Sequence, residues 1–418
     1  MNYKSALEKL FSLHQFGIKL GLENTINLLR HLGNPHKNLK CFHIAGSNGK
    51  GSTSSFIASI LMEAGFRTGL YTSPHLVKFN ERIRINGIMI EDDYVVNFMN
   101  SIEDYIAEHE VTFFELTTAM AFKYFYDMNA EYCVIETGLG GRLDSTNIIN
   151  PLISIITTIS LEHTNILGNT IEEIASEKGG IIKENIPVIL GLLPDEALKV
   201  LVTKSKDLSA PVYQLKNYLV QRDNSVSLNL DEIIHLYSLP LKGYHQLINA
   251  SLAISSLKLI KKNISNEKIF KGLNNVINNS GIQGRFEIFS HAPLIIFDSA
   301  HNIEGVQSFI NEYKKLKIPK TDSKIVFAVM KDKDYYTMLN MLTDYFNYFY
   351  FSTVDYERAE DPAKLKKITD NMGVASEITY KPENIINNHR IKEKNSLVIL
   401  GSIYFLGEIK NKLLTVSS

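Results

Sequence analysis

The chain has 418 residues, with 44 Lys plus Arg against 45 Asp plus Glu and a formal net charge of −1. Hydrophobic residues make up 44% and charged residues 21%, a balance that buries sizeable cores and excludes a disordered chain, a collagen-like repeat and a disulfide scaffold. The length exceeds one ordinary core and implies two domains, while the even charge supplies no global attraction to nucleic acid or to an anionic membrane.

Apolar positions in the first 30 residues (Leu7, Leu10, Phe11, then Ile26, Leu28, Leu29) predict amphipathic helix. CFHIAG then reads as a short strand ending in glycine, SFIASILMEAG as a helix and RTGLYTS as a second strand. A helix with aromatic spacing is expected over about 117–128, followed by the strands AEYCVIETG and ISIITTIS, the helix IEEIASEK and the strand IPVILG. Alternating strand and helix predicts a mostly parallel α/β sheet. Residues 211–240, with NSVSLNL, predict a small antiparallel insertion. The Gly-, Asn- and Ser-rich passage NNSGIQGRFEIF marks an interdomain joint near residue 284. Beyond it PLIIFDSAHN, KIVFAVM, YFYFSTV and SLVILGS alternate with helices and predict a smaller, Rossmann-like α/β domain. The expected division is 1–283 and 284–418. Cys41 and Cys133 lie in apolar stretches without a Cys-x-x-Cys pair, which fits a reducing cytosol and argues against a thiolate zinc site. The start lacks the apolar block of a signal peptide. The nearly uncharged stretch 148–161 is too short and polar to span a bilayer. A cytoplasmic protein is expected.

The segment IAGSNGKGST, residues 44–53, follows a strand and opens a helix. Gly46, Gly49 and Gly51 permit close backbone approach, and successive amides at a helix start bind anions. Lys50 can reach β and γ phosphates, and Ser52 or Thr53 can face phosphate or Mg²⁺. The match to G-x-x-x-x-G-K-[ST] is imperfect, because Ile44 stands where the first glycine belongs and Gly51 separates Lys50 from Ser52. A surface turn is the alternative; the strand before and the apolar helix after favour phosphate binding, hence a P-loop-type first domain. Ser73, Glu136 and His163 lie at or just past strand ends, where ligands gather in open α/β sheets. Singly each also reads as turn, strand end or cap; together they offer hard oxygens and an imidazole beside a triphosphate, a Mg²⁺ setting. Lys178 closes a helix before Gly179 and Gly180, which suits an ordinary helix end with a glycine at C′. Asp298 and His301 follow a strand in FDSAHN, and Arg285 lies in the joint, able to clamp nucleotide or to pair with a surface carboxylate.

In this order, FHIAGSNGKGST, LYTSPHLVKFNERIRING, FFELTTAMAF, VIETGLGGRLDSTN, LEHTNILG, EKGGIIK, LKGYHQLINASLAI, GRFE, FDSAHN, AVMKDKD and LGSIYFLGE resemble the Mur ligase superfamily and, within it, the folylpolyglutamate synthase/dihydrofolate synthase family. The set runs from residue 42 to residue 408. GSNGKGS alone fits any Mur-type ligase; TSPHL with FNERI, and FFELTT, point to the folate branch. The resemblance implies an ATP-dependent amide ligase with L-glutamate as amine and a folate or dihydropteroate as acid, acting through an acyl phosphate. It further implies that Gly46, Ser47, Asn48, Gly49, Lys50, Gly51 and Ser52 hold ATP phosphates and that Ser52, Ser73, Glu136 and His163 serve Mg²⁺. Lys178 matches a carbamylated lysine. Asn249, Arg285 and Asp298 match nucleotide positions, with Asp298 and His301 near phosphate and the incoming glutamate. Phe114, Glu115 and Thr117 match the pterin segment, and Ser402 the glutamate side. The sequence departs from the family pattern at Ser145 (often Ala), Glu162 (often Asp), Gly179 (often Ala) and Gln283 (often Pro).

Two other readings compete: a peptidoglycan-precursor Mur ligase, and an ATP-hydrolysing switch without ligation. The stretch before the phosphate loop is too short for a uridine-nucleotide domain, and a switch needs no amine-substrate site such as Asp298 and His301 suggest. Small-molecule substrates, no nucleic acid, no membrane and a monomer are expected.

Overall fold

β1 (Cys41–Ala45) is buried along its whole length, as a continuous apolar strand inside a parallel sheet must be. The computed structural model describes residues 1–17, 21–230, 232–260, 263–392 and 395–415. The chain divides into two compact units. One comprises Met1–His75, Phe79–Pro240 and Leu247–Ile282; the other comprises Leu76–Lys78, Leu241–Gln246 and Gln283–Ser418.

In the first unit β1 is joined by β2 (Thr68–Tyr71), β3 (Ile83–Ile85), β4 (Ile88–Met89), β5 (Tyr132–Glu136), β6 (Ile153–Ile156), β7 (Val188–Leu190) and β8 (Val212–Gln214). Among the described residues these form an eight-stranded sheet in the order β4-β3-β2-β5-β1-β6-β7-β8. The run from β2 to β8 is parallel, and β3 and β4 add an antiparallel edge. β9 (Leu219–Arg222), β10 (Ser225–Asn229) and β11 (Ile233–Leu236) make a separate antiparallel sheet, inside the span expected for the insertion; β8, also in that span, belongs to the large sheet.

The helix Lys50–Glu63 is buried on almost every side, because it lies between the sheet and the helices Asn266–Asn274 and Val276–Ser280. Small residues allow this closeness. Ser59 donates its hydroxyl to Gly272 O at 2.6 Å, and a Cβ on Gly272 would fall 2.5 Å from Ile60 Cα. One aromatic and aliphatic core, with Phe79, Phe98, Phe122 and Phe125, covers one part of the sheet, and a second, with Ile156, Ile174, Leu190 and Leu201, covers another.

Two boundaries differ from the sequence reading. The first 30 residues are two helices, Tyr3–Ser12 and Glu23–His31, interrupted by a 3₁₀ turn and by Gly17 at φ +63°; residues 18–20 lie outside the described part. The helix expected from 117 begins at Phe113, four residues earlier, because Thr112 and Glu115 cap it reciprocally.

The second unit carries β12 (Glu287–His291), β13 (Leu294–Asp298), β14 (Ser323–Ala328), β15 (Tyr348–Phe351), β16 (Ala375–Ile378) and β17 (Ser396–Gly401) in the order β12-β13-β17-β14-β15-β16. Only the edge strand β12 runs antiparallel among the described strands. Its two cores, one around Phe309, Phe327 and Phe349 and one around Phe297, Ile399 and Phe405, line opposite faces of the strands, as alternation along a strand requires.

Candidate active site

The loop after β1 needs glycine at two positions. Gly46 has φ +150°, and a Cβ there would lie 1.9 Å from Thr157 Oγ1; Gly49 has φ +87°, and its Cβ would meet Asn249 Oδ1 at 2.5 Å. The polar end of β6 ties the loop down. Ser47 N donates to Thr158 O at 2.8 Å, Asn48 N to Thr158 Oγ1 at 2.9 Å, and Thr157 Oγ1 to Asn48 O at 2.7 Å. Ser160 N donates to Ser47 Oγ at 2.9 Å. Gly49 caps the helix Lys50–Glu63, so a backbone held by side chains delivers the helix N-terminus and its partial positive charge. Ser52 is buried in the first turn.

Two ammonium groups meet on this loop. Lys50 Nζ donates to Gly46 O at 2.8 Å and to Ser47 O at 3.3 Å. Lys178, only 2% exposed, donates to the same Gly46 O at 3.0 Å and to Glu162 Oε1 at 2.7 Å. Burial, together with the nearby charge of Lys50, lowers the Lys178 pKa to about 8 even though Glu162 opposes the shift. Burial would raise the Glu162 carboxyl, but Lys178 and Lys50 outweigh it and hold it down at about 2. The ordinary helix-end alternative for Lys178 does not hold. Gly179 has φ −62° and continues in helical conformation, and the two glycines serve close packing: a Cβ on Gly179 would meet Leu201 at 2.6 Å, and one on Gly180 would meet Arg142 Cα at 2.2 Å.

Glu136 ends β5 with its carboxylate beside the loop. Its Oε2 accepts from Ser73 N at 3.2 Å and lies 3.5 Å from the position of a Cβ on Gly51. Ser73, Glu136 and the start of the phosphate-loop helix are therefore together. His163, at φ +46°, precedes the short helix Thr164–Leu167 and follows Glu162 directly. Among the described residues no three His, Cys, Asp or Glu side chains are grouped to hold a metal. At this point the observed hard oxygen donor is the Glu136 carboxylate.

The expected pterin segment is divided in its roles. Glu115 Oε2 accepts from Thr112 N at 2.7 Å, and Thr117 Oγ1 donates to Phe113 O at 2.7 Å; both side chains are buried and build the helix start. Phe114 instead faces the glycine loop after β5, where a Cβ on Gly138 would lie 2.3 Å from its ring. That loop is held by Asp144, which accepts from Gly138 N, Leu139 N and Thr146 N at 2.8, 2.8 and 3.0 Å and from Thr146 Oγ1 at 2.6 Å.

In the second unit Asp298 closes β13. Its carboxylate accepts from Phe286 N at 2.6 Å and Ala300 N at 2.8 Å. Burial raises its pKa to about 6, opposed by those two N–H groups and by Arg285. Arg285 donates to Ser299 Oγ and, at 3.2 Å, to Gly284 O. His301 Nδ1 lies 2.8 Å from Ser299 O; a carbonyl only accepts, so Nδ1 carries the proton. Arg285, Asp298 and His301 thus converge on residues 298–301. Ser402 stands apart from them in its bonding. It caps the helix Ile403–Thr415 by accepting from Tyr404 N at 3.2 Å, and its own N–H donates to Ala328 O.

Residues 44–257 match the Mur ligase middle domain and residues 284–403 the Mur ligase glutamate ligase domain. The chain belongs to the Mur ligase family. It is 36% identical to the dihydrofolate synthase/folylpolyglutamate synthase of Bacillus subtilis, across 98% of this chain and 99% of that protein. Among Mur ligases it belongs to the folylpolyglutamate synthase/dihydrofolate synthase branch. It is 34% identical to the folylpolyglutamate synthase of Lacticaseibacillus casei, across 85% and 86%. Its fold superposes on the folylpolyglutamate synthase of Thermotoga maritima with a TM-score of 0.85 at 32% identity, covering 100% of this chain and 98% of that one. With E. coli FolC, solved in complex with DHPP and ADP, the TM-score is 0.89 at 27% identity, covering 100% and 99%.

Three features of this Mur ligase escaped the sequence reading. The sequence marks Glu162 as a departure from the family pattern, not as the partner of Lys178. Thr157 and Thr158 read as strand, although two hydroxyls at the polar end of an apolar strand are the available signal. Asp144 gave no local sign, because the four donors it gathers are set by the turn.

Proposed function

We propose that the protein is an ATP-dependent acid–amino-acid ligase that joins L-glutamate to a folate, to dihydropteroate, or to both. The observation that carries this reading is the convergence of Lys50 and Lys178 on Gly46 O in a glycine loop that side chains hold in place. The Lys50 cation and a helix N-terminus suit a polyanion, and full-length relatives with folate-ligase names favour this reading over the peptidoglycan-precursor and switch alternatives. In the first half-reaction a substrate carboxylate oxygen attacks the γ-phosphorus, the bond to the β-phosphate oxygen breaks, and ADP leaves. In the second the glutamate amine attacks the acyl carbon, the C–N bond forms, phosphate departs with the C–O electrons, and the amine gives up a proton.

ATP fits the loop: Gly46 and Gly49 let it pack against Thr157 and Asn249, which supports a fixed helix N-terminus as an anion site. Mg²⁺ fits the carboxylate of Glu136 beside Gly51, with Ser73, Ser52 and His163 as further candidates, and when bound it would screen the meeting of carboxylate and polyphosphate. Lys50 neutralises charge developing on the transferred group. The site residues Asn249, Arg285, Asp298 and His301 are assigned to nucleotide and incoming glutamate, Phe114 to the pterin, and Ser402 to the glutamate side. For Glu115 and Thr117 we propose an indirect part, positioning Phe114 through the helix start. Lys178 fits carbamylation in its lowered pKa, because the neutral amine is the reactive form. A carbamate beside Glu162 would set two anions together, so it requires an added cation.

The test is purified protein with Mg·ATP and L-glutamate, offered tetrahydrofolate and then dihydropteroate, with ADP release and product mass followed. Glutamate-dependent ADP release with at least one of them, and a product heavier by one glutamyl residue, is expected. Its absence with both refutes the reading.

A further inference from the structure

Arg285 is held in an arc of chain that is fixed from both sides. Gly284 before it has φ +65° and Phe286 after it φ +46°, two left-handed positions around one residue, the second costly for an aromatic side chain. On one side Asp298 accepts from Phe286 N, and Ser299 N donates to Gly284 O at 3.0 Å. On the other side stands Lys410, on the helix Ile403–Thr415 and only 7% exposed. Its ammonium lies 2.8 Å from Gln283 Oε1 and 2.5 and 2.6 Å from the two oxygens of Glu287, which satisfies all three of its N–H donors. Glu287 Oε2 also accepts from Gly284 N at 2.8 Å. The ammonium also stands over an aromatic face, with Nζ 5.4 Å from the centre of the Phe297 ring. Gln283, Gly284 and Glu287 are therefore bound to one buried cation, directly or through one carboxylate, and Arg285 is the residue the arc presents.

We propose that Lys410 is a positioning residue: with Gln283 and Glu287 it forms a clasp that sets the backbone at Gly284 and so aims Arg285 at nucleotide. The proposal rests on the reading of Arg285 as a nucleotide contact. Gln283 stands where the family pattern often has proline. Proline constrains this point of the chain through its ring, whereas Gln283 does so through its side-chain bond to Lys410.

The test measures ADP affinity by titration calorimetry on the full-length protein, beside thermal midpoints, for Arg285→Ala, Lys410→Met, Gln283→Ala and the double variant Arg285→Ala/Lys410→Met. Met keeps an unbranched apolar side chain and removes the charge. Lys410→Met is expected to weaken ADP binding about tenfold, as loss of a charge-assisted contact does, and to raise KM for ATP with kcat changed less. Gln283→Ala, which removes one acceptor and leaves the ion pair, is expected to act in the same direction and more weakly. In the Arg285→Ala background Lys410→Met should have no further effect on affinity, because it acts through Arg285. Unchanged ADP affinity in Arg285→Ala would overturn the underlying nucleotide reading. Weakened binding in Arg285→Ala with affinity within twofold of the parent in both Lys410→Met and Gln283→Ala would overturn the clasp alone. Additive losses in the double variant would also overturn it, since Lys410 would then act independently of Arg285.

Discussion

At Gly46 O one carbonyl oxygen receives two ammonium groups, at 2.8 Å from Lys50 and 3.0 Å from Lys178. Like charges this close repel, and Glu162 compensates only Lys178 directly. The Lys50 charge is one of the causes that lower the Lys178 pKa, a repulsion that its attraction for Glu162 offsets, so Lys50 adds little net stability by itself and gains most once an anion arrives. Lys50→Ala is therefore expected to lower kcat/KM at least about 100-fold, the scale of losing a preorganised charge contact to the transition state, while the thermal midpoint holds or rises slightly. Glutamate-dependent ADP release and a thermal melt check the two halves. Near-normal turnover would remove Lys50 from the chemistry, and a large fall in midpoint would make its role structural. The Glu162 carboxylate belongs to the same balance. It has one methylene more than the aspartate common at that place, and it uses that reach on Lys178.

The helix Phe113–Asp127 carries its own start signal in Thr112 and Glu115. Glu115→Ala removes one side of that reciprocal cap and is expected to cost about 1 kcal/mol, which lowers the unfolding midpoint by roughly 2–4 °C for a unit of this size. Glu115→Gln keeps an acceptor for Thr112 N and should retain most of the stability. If instead the Glu115 charge touches substrate, Gln would raise the KM for the pterin substrate several-fold with little loss of midpoint, and steady-state kinetics beside melting would show it. The same helix shows how far the sequence could be read. Aromatic spacing marks the element from about 117, whereas its start signal lies earlier, in the Thr112–Glu115 spacing of a reciprocal cap. Strand ends were legible because apolar runs stop at Ala45, Glu136 and Asp298, and those stops placed Lys50, Glu136 and Asp298 in candidate sites. The β3–β4 edge and β12 were not read as strands; β3 and β4 are only three and two residues long, too short for alternation to register. The pairing of Glu162 with Lys178 was hidden for another reason. It joins residues on two different elements, and only the path of the chain over Gly46 brings them together.

Over the whole molecule a net charge of −1 conceals two acids that respond to pH in opposite senses, one in each compact unit. Glu162 titrates near 2 in the folded protein against an ordinary value near 4.5. Between those values the unfolded chain binds more protons, so stability rises with pH from about 2 to 4.5 and the contribution is fully present above that. Asp298 titrates near 6 against an ordinary value near 3.8. Between those values the folded protein binds more protons, so stability falls as pH rises from about 4 to 6 and is level beyond. Chemical denaturation at a series of pH values, compared among the parent, Glu162→Gln and Asp298→Asn, separates the two. The parent's advantage over Glu162→Gln should grow from pH 2 to 4.5 and stop growing above that. The parent's stability relative to Asp298→Asn should decline from pH 4 to 6 and then stay constant, whatever fixed offset the amide introduces. A difference curve for Asp298→Asn that is flat across pH 4 to 6 would mean that the carboxyl is not raised by burial, and one that instead climbs below pH 4 would mean that Arg285 and the two N–H groups hold it ionised.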